Sequence, residues 1–127
     1  EGELRVIDYK TGSSHLDPQA LLDGTRLQLP LYAAAARDLA LGEPVDGLYW
    51  ALRRGEAGRL RLVDFEFTDD SSRTHRGVDG AIVLAADHIA RSVAGIRSGR
   101  FVPEPPRDGC PTYCPAAAFC WRYRPER

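Results

Sequence analysis

The sequence predicts an α/β domain, and three observations carry that expectation. Hydrophobic periodicity switches along the chain in the order strand, helix, strand, strand, helix. An apolar fraction of 43% beside 28% charged residues excludes a disordered chain. A length of 127 residues makes one small domain that buries roughly two-thirds of its unfolded surface. No apolar run approaches the roughly 20 residues that cross a bilayer, so a soluble protein with no membrane partner is expected. With 17 basic and 18 acidic residues the net charge is −1, and any basic site must be local.

Glu3 to Lys10, ELRVIDYK, alternates so that Leu4, Val6, Asp8 and Lys10 share one strand face and Arg5, Ile7 and Tyr9 the other. Apolar residues on both faces predict a mostly buried strand. Thr11 to Ser14 is turn material, and the stretch to Asp23 and Gly24 reads as a loop or one short helical turn. From about Thr25 to Leu41, Leu27, Leu31, Ala34, Ala35 and Leu39 recur at helical spacing, with Thr25 as N-cap and Gly42 as stop. Pro30 requires this helix to begin close before it. Val45 to Arg54 and Leu60 to Phe67 read as two strands of a hairpin around Gly55-Glu56-Ala57-Gly58. A second helix is expected from about Ser72 to Ser98, burying a stripe of Ile82, Ala86, Ile89, Val93 and Ile96 and ending at Gly99. Pro103, Pro105 and Pro106 then mark an extended linker into a Cys-rich tail, and there is no internal repeat.

Of the 17 basic residues all but Lys10 are Arg, and Asn and Met are absent. Where composition runs so strongly against Lys, a position that keeps it calls for a compact ammonium rather than a guanidinium. A chain that lacks Met and opens close to an apolar alternation reads as a piece of a longer protein. No secretory signal precedes it, and three cysteines, an odd number, argue against a disulfide framework, so a reducing, cytoplasmic setting is expected.

Asp8 and Lys10, two apart on a strand, point the same way. Asp8 is a hard oxygen ligand for Mg²⁺ or Mn²⁺ and Lys10 a charge beside a metal-bound water, a hydrolytic arrangement; the same pair also reads as a surface ion pair on an edge strand. Gln28 and Tyr32 share a helix face at i and i+4, where an amide and a phenol can bind a phosphate or a water, or satisfy local hydrogen bonds. Cys110, Cys114 and Cys120 form a C-x3-C-x5-C array, fit for zinc or an iron-sulfur cluster, against a disulfide plus a free thiol or three buried thiols. His15, His75 or His88 is available as a fourth zinc ligand. Asp64 and Glu66 alternate as an acid and base pair or as a solvated strand face. Arg122 and Arg124, interleaved with Trp121 and Tyr123, suit contacts to a phosphate backbone with base stacking, or a packed tail.

In combination, VIDYKTG, LQLPLYAAA and CPTYCPAAAFC resemble the RecB-type nuclease domain of the PD-(D/E)XK superfamily. The likeness is to its iron-sulfur branch, which includes the AddB nuclease of bacterial recombination machines and some CRISPR-associated exonucleases. The resemblance covers nearly the whole chain in order, and its specificity lies in the co-occurrence of the motifs. It implies a restriction-endonuclease-like α/β core, a mixed sheet flanked by helices and lacking its N-terminal strands, over residues 1–102. A linker and cluster-binding tail would follow over 103–127. Asp8 and Lys10 match the metal-binding carboxylate and catalytic lysine, Gln28 and Tyr32 the Q-x-x-x-Y helix, and Cys110, Cys114 and Cys120 three ligands of a 4Fe-4S cluster.

The resemblance implies hydrolysis of DNA phosphodiesters, with Asp8 and the Tyr9 carbonyl among the ligands of Mg²⁺ or Mn²⁺. A helicase domain or subunit is the implied partner besides DNA. Another metal-binding Asp, and the fourth cluster cysteine, lie upstream of the D-x-K strand in that family and have no counterpart before Asp8. The chain by itself is therefore expected to be weakly active or inactive, and its open sheet edge to pair with a second copy. The rival readings are a catalytically silent DNA-binding or scaffold module and a zinc-binding interaction domain.

Overall fold

Strand β1 (Glu3–Lys10) has the two faces its alternation dictates: Leu4, Val6, Asp8 and Lys10 are half-buried, and Arg5, Ile7 and Tyr9 are exposed. In this computed structural model, which describes residues 2–12, 18–105 and 109–125, the expected burial of both faces does not occur. Ile7 is 42% and Tyr9 60% exposed because β1 is the outer strand of a three-stranded sheet, ordered β1-β2-β3, and only its inner face is covered. Strand β2 (Glu43–Ala51) runs parallel to β1 with Asp8 opposite Tyr49 and Lys10 opposite Ala51, and strand β3 (Glu56–Arg61) returns antiparallel to β2. The sheet is therefore mixed and carries helices, as expected.

The chain divides into two compact units, residues 1–91 and 92–127. In the first, helix α1 (Pro18–Leu22) is the short turn anticipated before Gly24. Helix α2 (Gln28–Asp38) starts later than expected. Thr25 does not cap it, because the Thr25 hydroxyl donates to the Ala20 carbonyl at 3.0 Å and so closes the end of α1 instead. Leu27 stands at the N-cap without a side-chain cap, which leaves Pro30 in the first turn, where its missing N–H costs nothing. Leu39 and Leu41 return their amides to Ala35 and Ala36, and Gly42 at φ +146° turns the chain into β2.

The second half of the expected hairpin is broken into three pieces. After β3 comes a 3-10 turn, Leu62–Asp64, and then a separate two-stranded sheet of β4 (Glu66–Thr68) and β5 (Thr74–Arg76). The break follows from Asp46, a buried carboxylate that accepts the amides of Gly47 at 2.8 Å and Val63 at 3.2 Å and pairs with Arg61. By holding Val63, Asp46 bends the chain just past Leu62, whose side chain is fully buried over Gly47. Burial by itself would raise the Asp46 carboxyl, but Arg61 and the two amides hold it below the usual value.

Helix α3 (Gly77–Arg97) begins five residues later than the periodicity suggested, since Thr74–Arg76 is a strand. The expected stripe is also out of phase. The buried residues are Val78, Gly80, Ala81, Leu84 and Ala85; Ile82 is half-buried against the core, whereas Ala86, Ile89, Val93 and Ile96 are exposed. Gly99 ends the helix with φ +69°, as foreseen. The core of the first unit joins Leu21, Leu29, Ala33, Tyr49, Leu60, Leu62, Phe65, Val78, Ala81 and Leu84, its buried leucines each contributing about 1.5–3 kcal/mol.

In the second unit, successive turns Pro111–Cys114 and Ala116–Cys120 fold the tail. The Cys110 amide donates to the Arg124 carbonyl, bringing the two ends of the tail together. Among the described residues no helix is long and apolar enough to cross a membrane.

Candidate active site

The inner face of β1 and the N-terminal turn of α2 meet at Lys10. Strand alternation places Asp8 and Lys10 side by side, and the Lys10 ammonium lies 2.9 Å from Asp8 Oδ2. The same ammonium donates to Gln28 Oε1 at 2.6 Å. It also stands 5.2 Å from the centre of the Tyr49 ring, within cation–π range. Lys10 is thus held from three directions by a carboxylate, an amide oxygen and an aromatic face. These three contacts restrict Lys10 more than a single ion pair on an outer strand would.

Asp8 Oδ2 is shielded from solvent and takes no well-aligned hydrogen bond; its partner is the Lys10 charge. An anionic oxygen left in that condition suits a hard divalent cation. It is one ligand rather than a cage: among the described residues no three His, Cys, Asp or Glu side chains gather to hold an ion. The Tyr9 side chain lies on the opposite, exposed face of β1, away from Asp8 and Lys10.

Tyr32, one turn beyond Gln28, is half-exposed. It lies close enough to the Tyr49 hydroxyl to act on it electrostatically, as do Asp8 and Arg26. Burial first, and then the Asp8 carboxylate, push the Tyr49 phenol above its usual value. Tyr49 carries no signal in the sequence, because a tyrosine within the apolar run Gly47-Leu48-Tyr49-Trp50 looks like core; only its register opposite Asp8 marks it out.

The remaining candidates do not converge here. Cys110 is buried and Cys114 and Cys120 are half-buried, all three as free thiols. Their chemistry suits a thiolate-bound cluster, but their described arrangement does not gather them round one point. His75 pairs with Asp69 at 2.8 Å and stacks on Phe67, and His88 bonds the Leu22 carbonyl at 3.0 Å, so both are committed structurally. His15 lies outside the described residues. Asp64 and Glu66 form no acid and base pair along a strand: Asp64 is in the 3-10 turn, and Glu66 is bound by Arg76 at 2.6 Å. In the tail, Arg122 lies 4.8 Å from the Trp121 ring centre and donates to the Pro103 carbonyl at 3.2 Å.

No solved structure matches the chain. One curated protein, a subunit of the ATP-dependent helicase/deoxyribonuclease from Moorella thermoacetica (strain ATCC 39073 / JCM 9320), is 47% identical over 68 residues. That alignment covers 44% of this chain and 6% of the relative. The sequence profile of the PD-(D/E)XK nuclease superfamily matches residues 1–121, from before β1 to beyond the last cysteine, and the chain belongs to that superfamily.

Proposed function

We propose that this chain carries the D-x-K part of a divalent-metal-dependent deoxyribonuclease acting in DNA repair or recombination, within a protein that includes or binds a helicase. The observation that carries the reading is the fixed Asp8, Lys10 and Gln28 constellation on one sheet face, in a chain of nuclease family. The helicase rests on the name of the Moorella relative.

Asp8 and the Tyr9 carbonyl would be among the ligands of Mg²⁺ or Mn²⁺. Such an ion supplies Lewis-acid polarisation of a phosphate and acidification of a water. Lys10 orients the attacking water and offsets the charge that grows on the phosphate, a task for a movable point charge rather than a fork-shaped guanidinium. Gln28, its oxygen engaged by Lys10, turns its NH₂ donors to a phosphate oxygen, and Tyr32 extends that line along α2. Cys110, Cys114 and Cys120 are proposed to take a 4Fe-4S cluster with a fourth thiolate from beyond the chain, as a structural staple. Trp121 and Arg122, stacked at the surface of the tail, suit contact with the DNA strand.

The test is cleavage of DNA with Mn²⁺ by the full-length protein and its Lys10→Ala variant. Cleavage by the wild type that the variant loses by at least about 100-fold, with DNA binding unchanged, is expected. Equal cleavage by the two would end the assignment, and binding without cleavage by either would favour a silent DNA-binding module.

A further inference from the structure

Tyr49 combines features that a core tyrosine does not need. It is 1% exposed, it is paired with Asp8 across the β1–β2 ladder, and its ring faces the Lys10 ammonium. Yet its hydroxyl, fully shielded from solvent, has no hydrogen-bond partner. The Leu29 amide, in the open first turn of α2, approaches that oxygen without meeting hydrogen-bond geometry. A buried donor left unmade is destabilising, and a phenylalanine would fill the same space without that cost. The two buried side-chain oxygens without a hydrogen bond among the described residues are this hydroxyl and Asp8 Oδ2, and they belong to the directly opposed residues of adjacent strands.

We propose that Tyr49 is a positioning residue of the nuclease site: its ring fixes the Lys10 ammonium, and its hydroxyl donates to the oxygen of a water that sits against Asp8. This rests on the nuclease reading above and assigns a role to a residue outside the D-x-K and Q-x-x-x-Y motifs. The ring role follows from the cation–π distance, which fills the side of Lys10 left open by Asp8 and Gln28. The hydroxyl role follows from chemistry. A phenol is a donor throughout the neutral range, Asp8 repels anionic oxygens from its own, and a water that accepts from Tyr49 and donates to Asp8 gives the hydroxyl its missing partner and adds a hydrogen bond to Asp8 Oδ2 beside the Lys10 charge.

The decisive variant is Tyr49→Phe in the full-length protein, measured by cleavage kinetics with Mn²⁺ and by thermal unfolding. The expected result is a fall in kcat of about 10- to 100-fold with KM for DNA within about twofold, and a melting temperature equal to or above the wild type. A merely structural hydroxyl cannot produce that combination. An unchanged kcat, or a kcat that falls together with the melting temperature, overturns the hydroxyl role.

The ring is tested separately by peptide-resolved amine acylation of Lys10, the one lysine of this chain. Tyr49→Leu is expected to speed Lys10 labelling several-fold while Tyr49→Phe leaves it as in the wild type; equal labelling in all three proteins overturns the ring role. Labelling needs no catalysis, so a wild type that cuts no DNA would remove the nuclease reading, and with it the hydroxyl role, while still deciding whether Tyr49 positions Lys10.

Discussion

Lys10 and Gln28, 18 positions apart, are joined by a 2.6 Å hydrogen bond from the ammonium to the amide oxygen, which ties the end of β1 to the first residue of α2. The bond selects one Lys10 rotamer over the several that an edge-strand lysine samples. Gln28→Ala is therefore expected to lower kcat for DNA cleavage by about tenfold with little change in stability, since misplacing a catalytic charge slows the step it serves. Steady-state kinetics beside a urea titration check this. A variant with wild-type kcat would show that Asp8 and Tyr49 suffice to hold the lysine.

Asp46 is the buried carboxylate on which the 3-10 turn depends. Asp46→Ala strands the Val63 and Gly47 amides and frees Arg61, and is expected to cost about 1–3 kcal/mol in urea denaturation. A loss below about 0.5 kcal/mol, the range of neutral surface changes, would show that water replaces the carboxylate without penalty.

Acid should unfold the domain through two aspartates. Asp46, and Asp69 in the β4–β5 turn, are both held below the usual carboxylate value. Asp69 owes this first to His75 and then to the Arg73 amide and Ser71. A carboxyl lowered in the folded state stabilises above its unfolded pKa of about 4 and loses that contribution as pH falls through the folded value. The melting temperature is thus expected to drop steadily below about pH 4 and to do so less in Asp69→Asn, which has nothing left to protonate there. A parallel acid profile for the variant would remove Asp69 from the account.

Gly42 closes the crossover from α2 into β2. Its φ is +146°, and a Cβ at that position would sit 2.5 Å from the Gly2 carbonyl oxygen, which accepts the Glu43 amide at the start of the β1–β2 ladder. Gly42→Ala is expected to cost about 1–3 kcal/mol, read as a lower melting temperature. Retention of wild-type stability would mean that the first ladder bond is dispensable.

The thiols make a spectroscopic prediction. Full-length protein purified without oxygen is expected to be brown, absorbing at about 400 nm, and Cys114→Ser to lose the colour along with the fold of the tail. A colourless protein containing zinc would replace the cluster with a zinc site, and a protein without either metal would make the cysteines structural thiols.

What depends on local period and chemical type was legible in the amino-acid order. Alternation in ELRVIDYK put Asp8 and Lys10 on one face, the i, i+4 spacing put Gln28 and Tyr32 on one side of α2, and Gly99 ended α3, because side-chain direction follows from backbone repeat alone. Lys10 stood out before any contact was known, as the one lysine among the basic residues. What depends on partners distant along the chain came only with folding. Asp46 reaches 17 positions ahead to bend the chain at Val63, which is why one expected strand became a 3-10 turn and a separate hairpin. Thr25 was spent on α1 and not on α2 because the two helices nearly adjoin, and its hydroxyl joins its own amide and that of Arg26 on the Ala20 carbonyl. The edge position of β1 exposed the face that carries Ile7 and Tyr9. Tyr49 joined the site by register alone, since only the pairing of β1 with β2 sets its ring beneath Lys10 and its hydroxyl beside Asp8.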